Sequence, residues 1–325
     1  MKYFLTGATG FVGGRVARQL VEQGHTVVAL IRDRAKAQAL EELGIELHVG
    51  DITDKESMRS PMTGVDGIFH IAGWYKLGVR HQGAGERINV LGTRNVLELM
   101  QELDIARGVY TSTLAVNSDT HGKLVDESFH YTGSHLSEYD RTKAAAHEIA
   151  RDKIAEGLPL TIVMPGAIYG SGDTSSLRTT FVRYLQRELP VIPKQTAFCW
   201  SHVEDTAQAH ILAMEKGKPS ETYIIAGPAH TLTEAMMVAE QITGVPKPTE
   251  IPPMFLKLMS VVMGVVEIAI AVPPTFSAES LRVLAGTTYL GDNSKAKQEL
   301  SYQPRSLETG LAETLMHEMQ LLGMS

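Results

Sequence analysis

The sequence predicts an α/β protein: a doubly wound parallel sheet, followed by a smaller and mainly helical C-terminal part. Three observations carry this. Strand-like and helix-like apolar patterns alternate from Met1 to Pro165, and such alternation gives a parallel sheet with helices on both faces. A glycine-rich turn, Gly7-Ala8-Thr9-Gly10-Phe11-Val12-Gly13, joins the first strand pattern to the first helix pattern. After Pro165 prolines become frequent and the alternation loosens. At 325 residues the chain is long for one core, so one large unit plus a smaller one is expected. Residues 1–165 plus about 200–226 are assigned to the first, and 166–199 plus about 227–325 to the second.

The elements follow in order. Tyr3, Phe4 and Leu5 form an apolar strand. Val12, Val16 and Leu20 then recur on one helical face, with Ala17 and Val21 beside them. Thr26 to Ile31 is a second strand, a charged helix follows, and Ile45 to Val49 is a third strand. Val65 to Ile71 is a fourth, bounded by Gly64 and Gly73. From Glu86 to Leu103 a helix is expected to bury Ile88, Leu91, Val96, Leu99 and Leu103. Val109 to Thr113 is a fifth strand, Tyr139 to Glu156 a long helix, and Leu160 to Met164 a sixth strand stopped by Pro165-Gly166. A helix from Asp205 to Lys216 and a strand from Thr222 to Ile225 return to the sheet. The remainder reads as mostly helical.

Within that remainder, Met254 to Val272 is nearly all apolar and lies between Pro252-Pro253 and Pro273-Pro274. Its polar or small positions, Lys257, Ser260, Gly264, Glu267 and Ala271, recur at steps of three and four and line one narrow stripe. A helix buried in the smaller part, walling an apolar pocket, is the expectation. An interfacial membrane helix or a subunit contact is the alternative.

Composition excludes several classes. A net charge of -7 with no Lys/Arg run argues against a nucleic-acid partner. One cysteine, Cys199, leaves no internal disulfide framework. His202 and His210 lack companion ligands at metal-site spacing, so no metal is expected. No apolar signal segment precedes the glycine turn, which makes a cytoplasmic location the expectation.

Strand, glycine turn and helix together suggest a dinucleotide. Backbone N–H groups approach the pyrophosphate, and the helix N-terminus adds about half a positive charge. The spacing places Gly7, Thr9, Gly10, Phe11, Val12 and Gly13 in this role. Tyr139 and Lys143, four apart, share a helical face, and among ten tyrosines only Tyr139 has a lysine four residues on. A phenol ionising near ~10 is a poor acid/base at neutral pH, and an ammonium alongside is expected to lower that value. The hydroxyls of Tyr110-Thr111-Ser112-Thr113 sit at a strand's carboxyl end, where open α/β sheets bind ligands. After the second strand, Ile31 occupies the usual acidic position and Arg32-Asp33-Arg34 follow. A guanidinium there suits a 2′-phosphate, which favours NADP(H). NAD(H) is the alternative, with Asp33 on the ribose.

These motifs resemble an extended short-chain dehydrogenase/reductase of the NAD-dependent epimerase/dehydratase superfamily. Besides the glycine turn from Thr6, the matching stretches are Asp51-Ile52, His70-Ile71-Ala72-Gly73, Asn89-Val90-Leu91-Gly92-Thr93, the Tyr139/Lys143 pair and Pro165-Gly166-Ala167-Ile168-Tyr169-Gly170. His202-Val203-Glu204-Asp205-Thr206-Ala207 and Tyr302-Gln303-Pro304-Arg305 also match, so the resemblance spans essentially the whole chain. It is nearest to the dihydroflavonol-4-reductase-like and 3β-hydroxysteroid-dehydrogenase-like branch. The resemblance implies a Rossmann fold, Tyr139 as general acid/base, Lys143 as its partner on the nicotinamide ribose, and Thr113 as the catalytic hydroxyl, with Ser112 the fallback. It also implies Asp51 and Ile52 at the adenine, Ala72 and Gly73 at the middle of the cofactor, and Pro165 and Ile168 at the nicotinamide end. A homodimer through the Glu86–Leu103 and Tyr139–Glu156 helices is implied, their packing on the sheet being the alternative. Met164, where many relatives carry arginine, and Thr142, where serine is commoner, are departures.

The expected activity is NADP(H)-dependent interconversion of a carbonyl and an alcohol on a small hydrophobic or aromatic substrate, met by Trp74, Tyr75 and Asn117. The rivals are a nucleotide-sugar epimerase/dehydratase with tightly bound NAD, using Arg178, Arg183 and Arg282 on a diphosphate, and a non-enzymatic NADP-binding redox sensor.

Overall fold

A computed structural model of the chain describes residues 1–78, 83–270 and 272–324. Part of the Gly73–Glu86 loop and Ala271 of the small-residue stripe lie outside the described residues.

Seven parallel strands form the main sheet: β1 (Lys2–Thr6), β2 (Thr26–Ile31), β3 (Glu46–Val49), β4 (Gly67–His70), β5 (Gly108–Thr111), β6 (Leu160–Met164) and, from later in the chain, Thr222–Ile224. The order runs from Thr222–Ile224 through β6, β5, β4, β1 and β2 to β3. Direction reverses between β1 and β4, so a crevice opens at the carboxyl ends of those two strands. Alternate residues of each strand serve opposite faces. Phe4, Val28, Ile68 and Tyr110 pack on one side with helices α3 (Glu56–Met62), α4 (Gly92–Glu102) and α5 (Glu138–Ala155). Tyr3, Leu5, Val27 and Phe69 pack on the other with α1 (Phe11–Glu22). The short helix α2 (Gln38–Glu42) bridges β2 and β3.

After β6 the chain forms β7 (Ala167–Tyr169), α6 (Ser176–Leu185), β8 (Val191–Pro193), β9 (Ala197–His202) and α7 (Val203–Lys216). Then come β10 (Thr222–Ile224), β11 (Ala229–Thr231), α8 (Leu232–Thr243), β12 (Thr249–Ile251), α9 (Pro253–Ala269), α10 (Ala278–Leu284), β13 (Thr288–Tyr289) and α11 (Leu307–Leu321). Helix α7 returns to the second face of the main sheet. β9 anchors a smaller sheet with β7, β11 and β13, and Trp200, Tyr184, Leu232 and Leu311 build a separate core beside it. Two of the family-like motifs meet here. Arg305 donates from its backbone N–H and its guanidinium to both Asp205 carboxylate oxygens, at 2.8–3.1 Å.

Two expectations are corrected. The Glu86–Leu103 segment is not one α-helix: Glu86–Leu91 is π-helical and α4 begins at Gly92. The wider turn shifts the register by a residue, so Leu91 is exposed and Asn89 is buried instead. The apolar faces of this segment and α5 pack on the sheet through Ile88, Leu103, Ala144, Ile149 and Ile154.

The second correction concerns Met254–Val272. Helix α9 is not buried, and its apolar side is exposed. It lies on α10 through the stripe of small and polar positions. Ser260 is its one buried residue, a Cβ built on Gly264 would meet Ala278 Cβ at 3.7 Å, and Glu267 Oε1 accepts from Ala278 N at 2.8 Å. Small residues allow the close approach, and the carboxylate satisfies a free N–H at the head of α10. The apolar side faces out. No helix among the described residues is long and apolar enough to cross a membrane.

Candidate active site

The crevice is lined first by the β1–α1 turn. Gly7 has φ +78, and a Cβ there would stand 2.7 Å from Ala72 N. A Cβ on Gly13 would stand 2.1 Å from Gly7 O. Only glycine lets the turn, the helix and the end of β4 close up this far. Gly10 is the N-cap and offers no side chain, so the N–H groups of Phe11, Val12 and Gly13 have no partner among the described residues. Three free donors at a helix N-terminus suit a pyrophosphate, and the cradle fits the expected dinucleotide.

Thr6 holds this turn to the neighbouring strand. Its Oγ1 accepts from Ile71 N and Ala72 N, both at 3.2 Å, and lies 2.8 Å from His70 Nδ1. With both lone pairs used, the hydroxyl donates to Nδ1. His70 Nε2–H therefore donates to Thr93 Oγ1 at 3.0 Å. Burial drives the His70 pKa down to about 3, and the ring stays neutral.

Around this pocket, Asp51 Oδ1 accepts from Thr53 N and Oγ1, both at 2.9 Å. Ile52 is buried against Gly92, with its carbonyl held by Asn95 Nδ2 at 2.8 Å. At the end of β2, Asp33 Oδ1 caps a short 3-10 turn by accepting from Ala35 N. Arg32 is exposed and has no hydrogen bond or ion pair among the described residues.

The end of β5 sorts its hydroxyls. Thr111 Oγ1 turns to His210 Nε2 at 2.9 Å. His210 Nδ1 lies 2.7 Å from the Thr206 carbonyl, so Nδ1 donates and Nε2 accepts from Thr111. Ser112 Oγ turns to His147 Nδ1 at 2.8 Å. Thr113 Oγ1 accepts from Ala115 N at 3.2 Å, capping a 3-10 turn over Leu114–Asn117, and its side chain favours the ionised form of Tyr139. Of the two hydroxyls considered, Ser112 is committed to His147, and Thr113 is the one that acts on the Tyr139 phenol.

Ser137 caps α5 through Asp140 N and sets Tyr139 in the first turn. Lys143, one turn on, is buried. Its Nζ donates to Thr111 O at 2.7 Å and to Tyr110 OH at 3.4 Å, and it sits 5.0 Å from the Tyr110 ring centroid. Burial lowers its pKa to about 7. Burial likewise raises Tyr139, to about 12, with the Thr113 hydrogen bond pulling the other way. This corrects the expectation that Lys143 depresses Tyr139. In the protein alone the ammonium points at the β5 carbonyl and is itself disfavoured, so desolvation dominates.

The expected substrate residues scatter. Trp74 is buried. Asn89 Oδ1 accepts from its N–H at 2.7 Å, Asn89 Nδ2 donates to its carbonyl and to Thr142 Oγ1, both at 3.0 Å, and the ring packs over Gly85. Tyr75 is exposed, with its OH 3.0 Å from Thr174 Oγ1. Asn117 is buried, and among the described residues its Nδ2 finds no partner, nor does the neighbouring Ser118 Oγ. Pro165 O accepts from Leu114 N at 3.0 Å, and Ile168 lies in β7. Asn89 is the residue that periodicity passed over, because only the π turn brings it inward.

The sequence model of the NAD dependent epimerase/dehydratase family matches residues 3–226. A Synechocystis sp. protein with the provisional name dihydroflavonol 4-reductase is 33% identical, over 96% of this chain and 93% of its own. Sterol demethylase protein B of Methylococcus capsulatus is 29% identical, over 97% of each. The crystal structure of gox2253 superposes with TM-score 0.85 at 29% identity, over 99% of both chains. The family assignment and the reductase-like branch agree with the resemblance read from the motifs. A parallel sheet with its glycine turn at the switch point, a Tyr/Lys pair at the end of β5 and a family match over most of the chain make this protein an NAD(P)-dependent oxidoreductase belonging to the NAD-dependent epimerase/dehydratase family.

Proposed function

We propose that the chain is an NADP(H)-dependent reductase that interconverts a carbonyl and an alcohol on a hydrophobic or aromatic substrate, using Thr113, Tyr139 and Lys143. The observation that carries this is the buried Lys143, one helical turn after Tyr139 and held by the Thr111 carbonyl at the end of β5, where the Thr113 hydroxyl favours the ionised phenol. Residues 1–165 with about 200–226 hold the cofactor, and the remainder holds the substrate.

The cofactor supplies or accepts a hydride at the substrate carbon. The chain does the rest. The free N–H groups of Phe11, Val12 and Gly13 bind pyrophosphate. Arg32 takes the 2′-phosphate, and Asp33, already committed to its cap, leaves the ribose edge to it. Asp51 and Ile52 flank the adenine, Ala72 and Gly73 the centre, and Pro165 and Ile168 the far ring. Lys143 donates to the nearby ribose. Tyr139 gives its phenolic proton to the carbonyl oxygen as the hydride reaches the carbon, and takes it back in oxidation. Thr113 holds that oxygen against the phenol, and the unpartnered Asn117 amide offers a further donor. The full-length relatives are named for dihydroflavonol and sterol chemistry, which supports an apolar substrate.

The cations that an epimerase would turn on a nucleotide diphosphate are engaged. Arg178 is bidentate to Glu318 at 2.8 and 2.9 Å, Arg183 donates to Glu188 O, and Arg282 donates to Leu136 O. A redox sensor has no need of the assembled Thr113, Tyr139 and Lys143. The test is NADPH oxidation by the purified protein with a panel of hydrophobic ketones, beside Tyr139→Phe. Turnover with NADPH that this variant loses supports the reading. Stoichiometric, tightly held NAD with no NADPH consumption would sink it in favour of an epimerase.

A further inference from the structure

Helix α9 carries its apolar side outward to an unusual degree. Met254, Phe255, Leu258, Val261, Val265 and Ile268 are 77%, 60%, 63%, 68%, 66% and 83% exposed. At ~100° per residue, these and the neighbouring Met259 and Val262 cover about 180° of the circumference. No polar side chain falls within that arc. Lys257 stands at its margin. The reverse side, through Ser260, Gly264 and Glu267, is taken up by α10.

We infer that this face docks on a lipid surface. A second copy of the helix is a poor cover for it. Two 17-residue helices, ~25 Å long and ~10 Å wide, share a footprint of roughly 250 Å². A stable interface needs ~800 Å² per partner. A protein interface also carries about one hydrogen bond per 100–200 Å², and the arc has none to offer. A helix sunk to its axis in a lipid interface has no such need. Half of a helix 10–12 Å across matches the ~5–10 Å depth that interfacial helices reach. Attachment is by apolar burial, since the chain carries a net charge of -7 and α9 has one lysine.

The docking helix is also wired to the reaction site. Glu267 caps α10 through Ala278 N. One residue on, Glu279 accepts from Gly78 N at 2.7 Å and from Glu138 N at 2.5 Å. Glu138 immediately precedes Tyr139, and Gly78 belongs to the loop after β4. A lipid-held α9 therefore places the catalytic helix and that loop beside the membrane surface, where apolar ketones concentrate.

Flotation with neutral phosphatidylcholine vesicles tests this, using the full chain and its Leu258→Asp/Val265→Asp variant. Wild type is expected to float at low and high salt alike, and the variant to bind at least about tenfold more weakly, with unchanged melting temperature and NADPH binding. Ile268→Asp, at the exposed end of the helix, repeats the test if the double variant is unstable. Wild type that stays with the soluble fraction overturns the inference. So does a vesicle-free dimer that the variants split into monomers, which would give the face to a second copy. The readout is lipid binding, so its failure leaves the proposed reaction standing.

Discussion

Ser112 Oγ and His147 Nδ1 lie 2.8 Å apart, and this bond turns Ser112 away from the reaction site. Thr113, one residue on, is the hydroxyl that pulls the Tyr139 pKa down against burial. Thr113→Ala is therefore expected to lower kcat by about 10- to 100-fold, the worth of a hydrogen bond to a charged group. Ser112→Ala is expected to leave kcat within about twofold and to lower the melting temperature, because His147 loses a buried partner. Steady-state kinetics and thermal melts on the two variants check this. Equal losses of kcat would return Ser112 to the site.

The proposed NADP(H) preference rests on Arg32, which has no hydrogen bond or ion pair among the described residues, and on Asp33, which is engaged by Ala35 N and Lys36. Arg32→Ala is expected to raise the KM for NADPH by about 10- to 100-fold while leaving that for NADH nearly unchanged. Replacing a solvated guanidinium costs little stability. If the two cofactors weaken together, Arg32 reads something other than the 2′-phosphate.

Much of the fold was legible in the sequence because its signals are local. The strands Thr26–Ile31 and Leu160–Met164 are apolar runs with sharp ends, and the structure returns them residue for residue. Gly7 and Gly13 declare a turn because a Cβ at either would stand within 2.7 Å of neighbouring backbone. Other features depend on geometry that periodicity does not encode. Leu91 and Asn89 exchange places because a π turn intervenes. The direction of the Ser112 and Thr113 hydroxyls depends on where β5 gives way to a 3-10 turn. For α9 the stripe of small residues was visible, but a sequence does not say that α10 would take that stripe and leave the apolar side outside.

Lys143 illustrates a site held at the expense of stability. Burial puts its folded-state pKa at about 7, against 10.5 unfolded. Below pH ~10 the unfolded chain therefore binds the extra proton. Stability falls as pH drops from 10.5 towards 7, then levels off. At neutral pH the cost is a few kcal/mol. Lys143→Met, similar in length and uncharged, is expected to abolish turnover and to raise the melting temperature at pH 7, with a smaller gain at pH 10. A variant that melts lower at pH 7 would show the ammonium to be stabilising where it sits.

Three buried histidines set the acid limit of the fold. His70 is held down to about 3, and His147 and His210 to about 4, each mainly by burial. Every one is bonded as a neutral ring to a hydroxyl at or near a strand end: Thr6, Ser112 and Thr111. The unfolded chain protonates them near ~6.5, so below that pH unfolding takes up protons and stability declines until about pH 4. Each contributes a loss of about 3 kcal/mol by then. Asp140 opposes the trend, because burial raises it to about 6, and in acid it is protonated more readily folded than unfolded. Burial raises Glu127 and Asp173 as well, so the buried carboxyls offset part of the imidazole loss. The three imidazoles together rival the ~5–15 kcal/mol of an ordinary fold. The melting temperature is expected to drop steeply between pH 6.5 and 4, with loss of the packed ends of β1 and β5. Melts flat across that window would mean that at least two of these rings are charged in the folded protein.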